Sequence, residues 1–197
     1  MTTTTQTTDP RPALLAALDQ AGRLVHQVGP GDLTRPTPCE EYDVRGLLGH
    51  LVAVEGRIAH ILTGGRPFEV PSVVERPEDD WAAAWDAARD RVDAVLADDA
   101  CLQGTVTHPI GVLPAPAAIS IYVSEVATHG WDLAMALGRR DELDDAVAEP
   151  VLGPIRRALP ESGRDGMPFG EPVPVGDDAT PYDALVAWTG RDPRWTA

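Results

Sequence analysis

Apolar side chains recur at steps of three and four residues along most of the chain, which is the period of an amphipathic helix. Four such segments are long enough to pack as a bundle, and they cover about residues 12–28, 44–63, 81–96 and 114–137. A fifth helix is expected over residues 144–159, either kinked or started afresh near Pro150 and Pro154. A last helical segment covers about residues 181–190.

The helical period is interrupted between the third and fourth helices. Residues 104–114, GTVTHPIGVLP, predict a short extended piece or a hairpin. The chain is therefore expected to be all-α, a four-helix bundle with one long crossover, a short extended element and a C-terminal appendage. The Thr-rich residues 1–9 are expected to be a disordered tail. Residues 10–197 are expected to form one domain, with a C-terminal tail from about residue 163.

Charge and composition narrow the choice of partner. The net charge is −15, from 31 acidic and 16 basic side chains, and such a surface repels nucleic acid and anionic lipid. We therefore expect neither nucleic acid nor a membrane as a partner. No apolar run has the length of a membrane span, no secretory leader opens the chain, and two cysteines fit a reducing compartment. These features predict a cytoplasmic protein.

Two polar residues in the apolar stripe of the fourth helix need an explanation. Glu125 and His129 are one helical turn apart and project from the same face. Tyr122, Val126 and Leu133 surround them with apolar bulk. A carboxylate and an imidazole are costly in such a stripe unless they have a partner. The interpretation that we favour is a metal ion.

His50 is the candidate third ligand, because it lies on the inward side of the second helix. Taken singly, such a histidine is usually a satisfied core residue, and a Glu–His pair at this spacing is usually a surface pair. Facing helices of a bundle can nevertheless bring such donors together, and two nitrogens with one oxygen leave a fourth position open, as in catalytic zinc sites. Asp132, one turn beyond His129, either orients that imidazole or simply caps and solvates the end of the helix.

Three pieces of the sequence carry a family resemblance, namely TPCEEYDVRGLLGHLV (37–52), ATHGWDLAMALG (127–138) and ALVAWTGRDPRW (184–195). They resemble the actinobacterial metal-binding proteins of the DinB-like superfamily, and within it the mycothiol-dependent maleylpyruvate isomerase group. The resemblance implies a divalent metal, usually zinc, held by a histidine of the second helix and a Glu-x-x-x-His pair of a later helix. The matching positions in this chain are His50, Glu125 and His129.

The chain also departs from that family. Tyr42 stands where the family usually has Trp, and only a short tail replaces the separate C-terminal domain that contributes to the active site of the full isomerase. Maleylpyruvate isomerisation itself is therefore not implied. What the resemblance implies is a metal-centred pocket that can activate a low-molecular-weight thiol such as mycothiol. The same donor set also accepts nickel, iron or manganese.

Four further residues are candidates for the site, and three of them also have a simpler interpretation. Trp131 is a candidate wall of the pocket. Arg191 is a candidate anchor for an anionic substrate, and equally a structural salt-bridge partner. Cys39 can be a nucleophile or an extra ligand, but a small buried side chain at a loop–helix junction is the simpler interpretation. His108 precedes a proline and is interpreted as a turn residue, with a place at the pocket mouth as the alternative.

The sequence thus supports three functional hypotheses. The first is a metal-dependent thiol transferase or isomerase that acts on a small electrophilic substrate. The second is a non-catalytic bundle that binds a metal or a small molecule, with a homodimer left open. The third is a metal-assisted hydrolase. The substrate and the thiol are not encoded in any motif that we identify.

Overall fold

The computed structural model describes residues 9–76, 80–167 and 169–197. Within these residues the chain forms six α-helices and one small antiparallel sheet. The helices are α1 (Arg11–Val25), α2 (Val44–Leu62), α3 (Trp81–Leu96), α4 (Ala115–Leu137), α5 (Asp145–Ala158) and α6 (Pro181–Trp188). The strands are β1 (Thr105–His108) and β2 (Gly111–Pro114). The predicted all-α bundle is confirmed. The predicted N-terminal tail lies almost wholly outside the described residues.

The first four helices enclose the core. Helix α4 packs on α1 and α2, and α3 also packs on α1 and α2. Trp81 and Trp85 of α3 are buried, as their spacing predicts. Helices α1 and α3 approach each other at Gly22, where a Cβ atom would lie 2.7 Å from Nε1 of Trp85. This crossing therefore requires glycine.

The two helices that matter most for the site have well-defined ends. Helix α2 begins after Asp43, whose carboxylate caps the helix by accepting a hydrogen bond from the amide of Gly46 at 2.8 Å. Helix α4 ends at Gly138, which has a φ of 71°, a conformation that glycine adopts without strain. These ends set the register of both helices.

The extended segment is a hairpin, in which His108 pairs with Gly111. Alternate residues of β1 are buried, and His108 is the second of them. Its Nδ1 accepts a hydrogen bond from the amide of Ile110 in the turn at 3.4 Å, in agreement with the interpretation as a turn residue, and its side chain is also buried. The physical reason for the burial is the two-residue period of the strand, which directs His108 to the same face as Val106.

Helix α5 runs through Pro150 and Pro154 as one helix and does not start afresh. Its buried residues are Val147, Ala148, Val151 and Ile155, which lie on one face. Packing of this face against the bundle holds the helix together despite the hydrogen bonds that the prolines cannot donate.

The C-terminal segment is tied to the bundle by buried polar side chains. Gln20 of α1 donates a hydrogen bond to the hydroxyl of Tyr182 at 2.5 Å and accepts one from the amide of Asp144 at 2.7 Å. Arg164 is 97% buried and donates to the carbonyls of Pro160, Gly170 and Trp188. These bonds hold α6 against the bundle, and they thereby place the residues that follow α6 next to the bundle. Among the described helices, none is long and apolar enough to cross a membrane.

Candidate metal centre

Two facing helices bring His50, Glu125 and His129 together. His50 comes from α2, and Glu125 and His129 come from adjacent turns of α4. One donor atom from each residue lies within 4.8 Å of the other two. The His50 and His129 rings meet edge to face, with centroids 4.7 Å apart. The i, i+4 spacing on α4 and the inward position of His50 are sufficient to produce this arrangement.

Contacts on both sides hold the His50 ring in place. Its Nδ1 donates a hydrogen bond to the carbonyl of Ser72 at 2.9 Å, which leaves Nε2 as the free nitrogen. The ring of Tyr42 stacks on the imidazole with a centroid distance of 5.2 Å. The Ser72 carbonyl carries no sequence signal that marks it as a support for His50.

His129 is oriented by a buried chain of charges. Its Nδ1 donates to the carboxylate of Asp132 at 2.9 Å. Asp132 is fully buried, and Arg191 binds its two oxygens at 2.7 and 2.9 Å. Burial would raise the pKa of Asp132, but Arg191 and His129 outweigh this effect and lower it. Burial also lowers the pKa of His129 below its ordinary value, so its ring is neutral near pH 7.

Glu125 is the ligand candidate that is most open to solvent, with 25% of its side chain exposed. Burial would raise the pKa of its carboxyl group, but the neighbouring His50, His129 and Arg57 outweigh this effect and lower it, so the group is ionised at neutral pH. Its Oε1 lies 3.5 Å from Nε2 of His50. A charge-assisted hydrogen bond between these atoms would normally be about 2.7–2.9 Å long. The distance between Glu125 and His50 is thus longer than that of a tight ion pair.

A divalent cation fits this donor set on chemical grounds. Two imidazoles and one carboxylate are the ligands of many zinc sites, with bonds of about 2.0–2.2 Å, so donors at two corners of a tetrahedron are about 3.4 Å apart. The 3.5 Å between His50 and Glu125 agrees with that separation. Each imidazole also gives its Nδ1 to a carbonyl or carboxylate, as metal-bound histidines usually do.

A second group of donors shares His129 and consists of Cys39, His129 and Asp132. Both oxygens of Asp132 are already bound by the guanidinium of Arg191. A cation at this group would lie beside that guanidinium and be repelled by it. Burial and the nearby Asp132 also raise the pKa of the Cys39 thiol, which disfavours the thiolate that a metal needs. The His50, Glu125 and His129 group is therefore the better candidate.

The other residues singled out in the sequence have different positions. Arg191 forms the salt bridge with Asp132, so the structural interpretation applies to it. Trp131 is fully buried in the core, and its position two residues after His129 places it about 200° round the helix from that residue. His108 packs edge to face on Tyr122, with ring centroids 4.9 Å apart. Arg57, two turns after His50, was not marked by any sequence motif.

Two cavities lie elsewhere. One, of about 240 Å³, is lined by residues that include Val52, Val74 and Arg91. The other, of about 580 Å³, lies between α1 and α3 and is lined by residues that include Arg23 and Asp86. Neither is lined by the three donor residues. The candidate metal centre opens to solvent through Glu125 instead.

A helical bundle with a His-Glu-His donor set on facing helices defines a class of candidate metal-binding proteins. Comparison with known proteins gives the family: the sequence profile of the mycothiol maleylpyruvate isomerase N-terminal domain matches residues 14–134, and the chain belongs to that family. Two uncharacterized proteins of Mycobacterium tuberculosis, from strains CDC 1551 and H37Rv, are each 31% identical over 187 residues, covering 94% of this chain and 100% of their own length. No solved structure matches significantly.

Proposed function

We propose that this protein is a cytoplasmic metal-dependent enzyme that joins a low-molecular-weight thiol to a small electrophilic substrate, or uses the thiol to isomerise that substrate. The observation that carries the proposal is the convergence of His50, Glu125 and His129 from two helices, with each imidazole already committed through Nδ1 to another acceptor. Membership in the family supports mycothiol as the first thiol to test. The donor set of two imidazoles and one carboxylate supports zinc as the first metal.

In this proposal His50, Glu125 and His129 hold the cation. A divalent cation with an open position lowers the pKa of a thiol or water that it coordinates, and this is the chemistry that it would supply. Ser72 and Asp132 keep the two imidazoles in the orientation that presents Nε2. Arg191 keeps Asp132 ionised inside the protein, so that Asp132 continues to accept from His129.

The reaction proposed is addition of the thiol to an electrophilic carbon. The S–H bond breaks, a C–S bond forms, and the proton passes to water or to the adduct. In a transferase the adduct is the product. In an isomerase the C–S bond breaks again after rotation within the substrate, and the thiol is regenerated. Neither outcome needs an oxidant or a reductant.

A thiol-conjugation assay with zinc-loaded full chain tests the proposal. Mycothiol, glutathione and bacillithiol would each be offered with a thiol-reactive fluorogenic electrophile, and the rate of product formation would be compared with that of the uncatalysed reaction. We expect acceleration with at least one thiol, and loss of that acceleration in His50→Ala but not in His60→Ala, which removes an exposed histidine of the same helix. A protein that binds one metal per chain and accelerates none of the three reactions would be a non-catalytic binding protein, and the proposal would fail.

A further inference from the structure

Three buried side chains next to the candidate metal centre carry polar atoms that have no partner among the described residues. These atoms are Nε of Arg57, Nε2 of His108 and the hydroxyl of Tyr122. The three residues are 8%, 5% and 1% exposed, respectively. A buried polar group without a hydrogen bond destabilises the folded protein. Three such groups close together therefore need an explanation other than packing.

The three side chains come from elements that pack on one another, because β1 packs on both α2 and α4. Arg57 follows His50 by two turns of α2, and Tyr122 precedes Glu125 by about one turn of α4. His108 comes from β1 and packs on the Tyr122 ring. The charges of Arg57 and Glu125 also influence the pKa values of His108 and Tyr122.

Arg57 is the cation of this group, and it has no ion-pair partner within 4 Å among the described residues. Its Nη2 donates to the carbonyl of Pro71 at 3.1 Å, next to the Ser72 carbonyl that binds His50. The carbonyls of two consecutive residues, Pro71 and Ser72, thus hold the side chains of Arg57 and His50. A buried guanidinium without a paired anion is costly, and an anionic ligand would remove that cost.

We propose that Arg57, His108 and Tyr122 form a subsite that binds a carboxylate of a small-molecule ligand beside the metal centre. The donors suit a carboxylate because the guanidinium supplies one positive charge, while the phenol and the imidazole supply neutral N–H and O–H groups. A dianionic phosphate would leave one negative charge unmatched beside Glu125. The subsite rests on the proposed function only in that the ligand would be the electrophilic substrate, since Arg57, His108 and Tyr122 are not metal ligands.

The test uses the metal-free full chain, so that carboxylate binding and metal binding are measured separately. Acetate, its neutral analogue acetamide and inorganic phosphate would be titrated while the imidazole resonances of His108 are followed by NMR. We expect a saturable shift with acetate, none with acetamide, and weaker binding of phosphate. Arg57→Gln should weaken acetate binding by about tenfold or more, whereas Arg23→Gln, at an exposed position of α1, should not.

Tyr122→Phe gives a second and independent readout. Its hydroxyl has no partner in the ligand-free protein, so removing it should raise the melting temperature by about 2–4 °C while weakening acetate binding. A hydroxyl with a purely structural role would give a lower melting temperature, and that result would overturn the subsite. Equal responses to acetate and acetamide, or tighter binding of phosphate than of acetate, would also overturn it. Acetate binding in a protein that binds no metal would leave the subsite standing and refute the proposed function.

Discussion

Nδ1 of His129 donates a hydrogen bond to the carboxylate of Asp132 across 2.9 Å, one helical turn away. Arg191, which follows α6, binds the same carboxylate with two nitrogens. The orientation of one candidate ligand on α4 is thus set by a residue from the C-terminal segment. The C-terminal segment therefore contributes directly to the candidate site.

Asp132→Asn tests this chain of charges. The amide cannot neutralise Arg191, so a buried guanidinium loses its anion, and we expect a loss of about 3–5 kcal/mol of unfolding free energy. His129 also loses its charged acceptor, and metal affinity should fall by about 10–100-fold. Asp183→Asn is the matched control, because Asp183 pairs with Arg140 at a partly exposed position. Denaturant unfolding and chelator competition measure the two effects, and equal behaviour of the two variants would contradict the role of Asp132.

The sequence predicts most of the fold because apolar residues recur with the helical period, and Asp43 and Gly138 are residue types that are common at helix ends. It also places the three donors on inward faces, since one-turn spacing on a helix is a local property. It does not predict that Arg191 reaches Asp132, because 59 residues separate them and only the docking of α6 brings them together. The sequence also does not predict that Arg57 is buried near the site, because a single arginine on an apolar helix usually extends its charged end to solvent.

Gly190→Ala tests whether the position of the C-terminal segment affects metal binding at the candidate site. Gly190 has a φ of 91°, and a Cβ atom there would lie 2.5 Å from the Cα of Gly170. Any side chain must displace the neighbouring backbone, and Arg191 is the next residue. We expect weaker metal binding together with a lower melting temperature.

Gly163→Ala is the control for that experiment. Gly163 also has a positive φ, of 76°, but a Cβ atom there would contact nothing within 4 Å. The Gly163→Ala variant should lose about 1 kcal/mol of unfolding free energy through backbone strain, without a change in metal affinity. If both variants bind metal like the wild type, the tail does not position Arg191.

Glu55 predicts an unusual dependence of stability on pH. It is fully buried, both oxygens lack a partner among the described residues, and burial raises the pKa of its carboxyl group to about 9. The folded state therefore keeps a proton that the unfolded state releases above its pKa of 4.5. The contribution of this group is most favourable below pH 4.5 and declines as pH rises towards 9, at about 1.4 kcal/mol per pH unit.

Glu55→Gln removes that titration while keeping the shape of the side chain. The variant should gain several kcal/mol over the wild type between pH 5 and pH 8, as measured by urea unfolding at both values. Glu149→Gln, at an exposed position on α5, should show no such gain. A wild-type protein whose stability relative to Glu55→Gln is the same at both pH values would contradict the raised pKa.

Cys39→Ser separates the two groups of donors that contain His129. We expect the variant to bind one metal per chain, as the wild type does, because the thiol is not a ligand in the group that we favour. Cys101→Ser, in the other cysteine position, controls for loss of a buried thiol. Loss of bound metal in Cys39→Ser alone would assign the centre to Cys39, His129 and Asp132.

Metal content is the most direct measure of the central claim. Purified protein would be reconstituted with zinc, desalted and analysed for metal per chain by mass spectrometry, as wild type, His50→Ala, Glu125→Ala and His60→Ala. His60 is the matched control because it also pairs with a glutamate, Glu69 at 2.7 Å, at the end of α2. We predict one zinc ion per chain in the wild type and in His60→Ala, and a loss in the other two variants. A wild-type protein that retains no stoichiometric metal, or a His50→Ala variant that retains it fully, would contradict the metal centre.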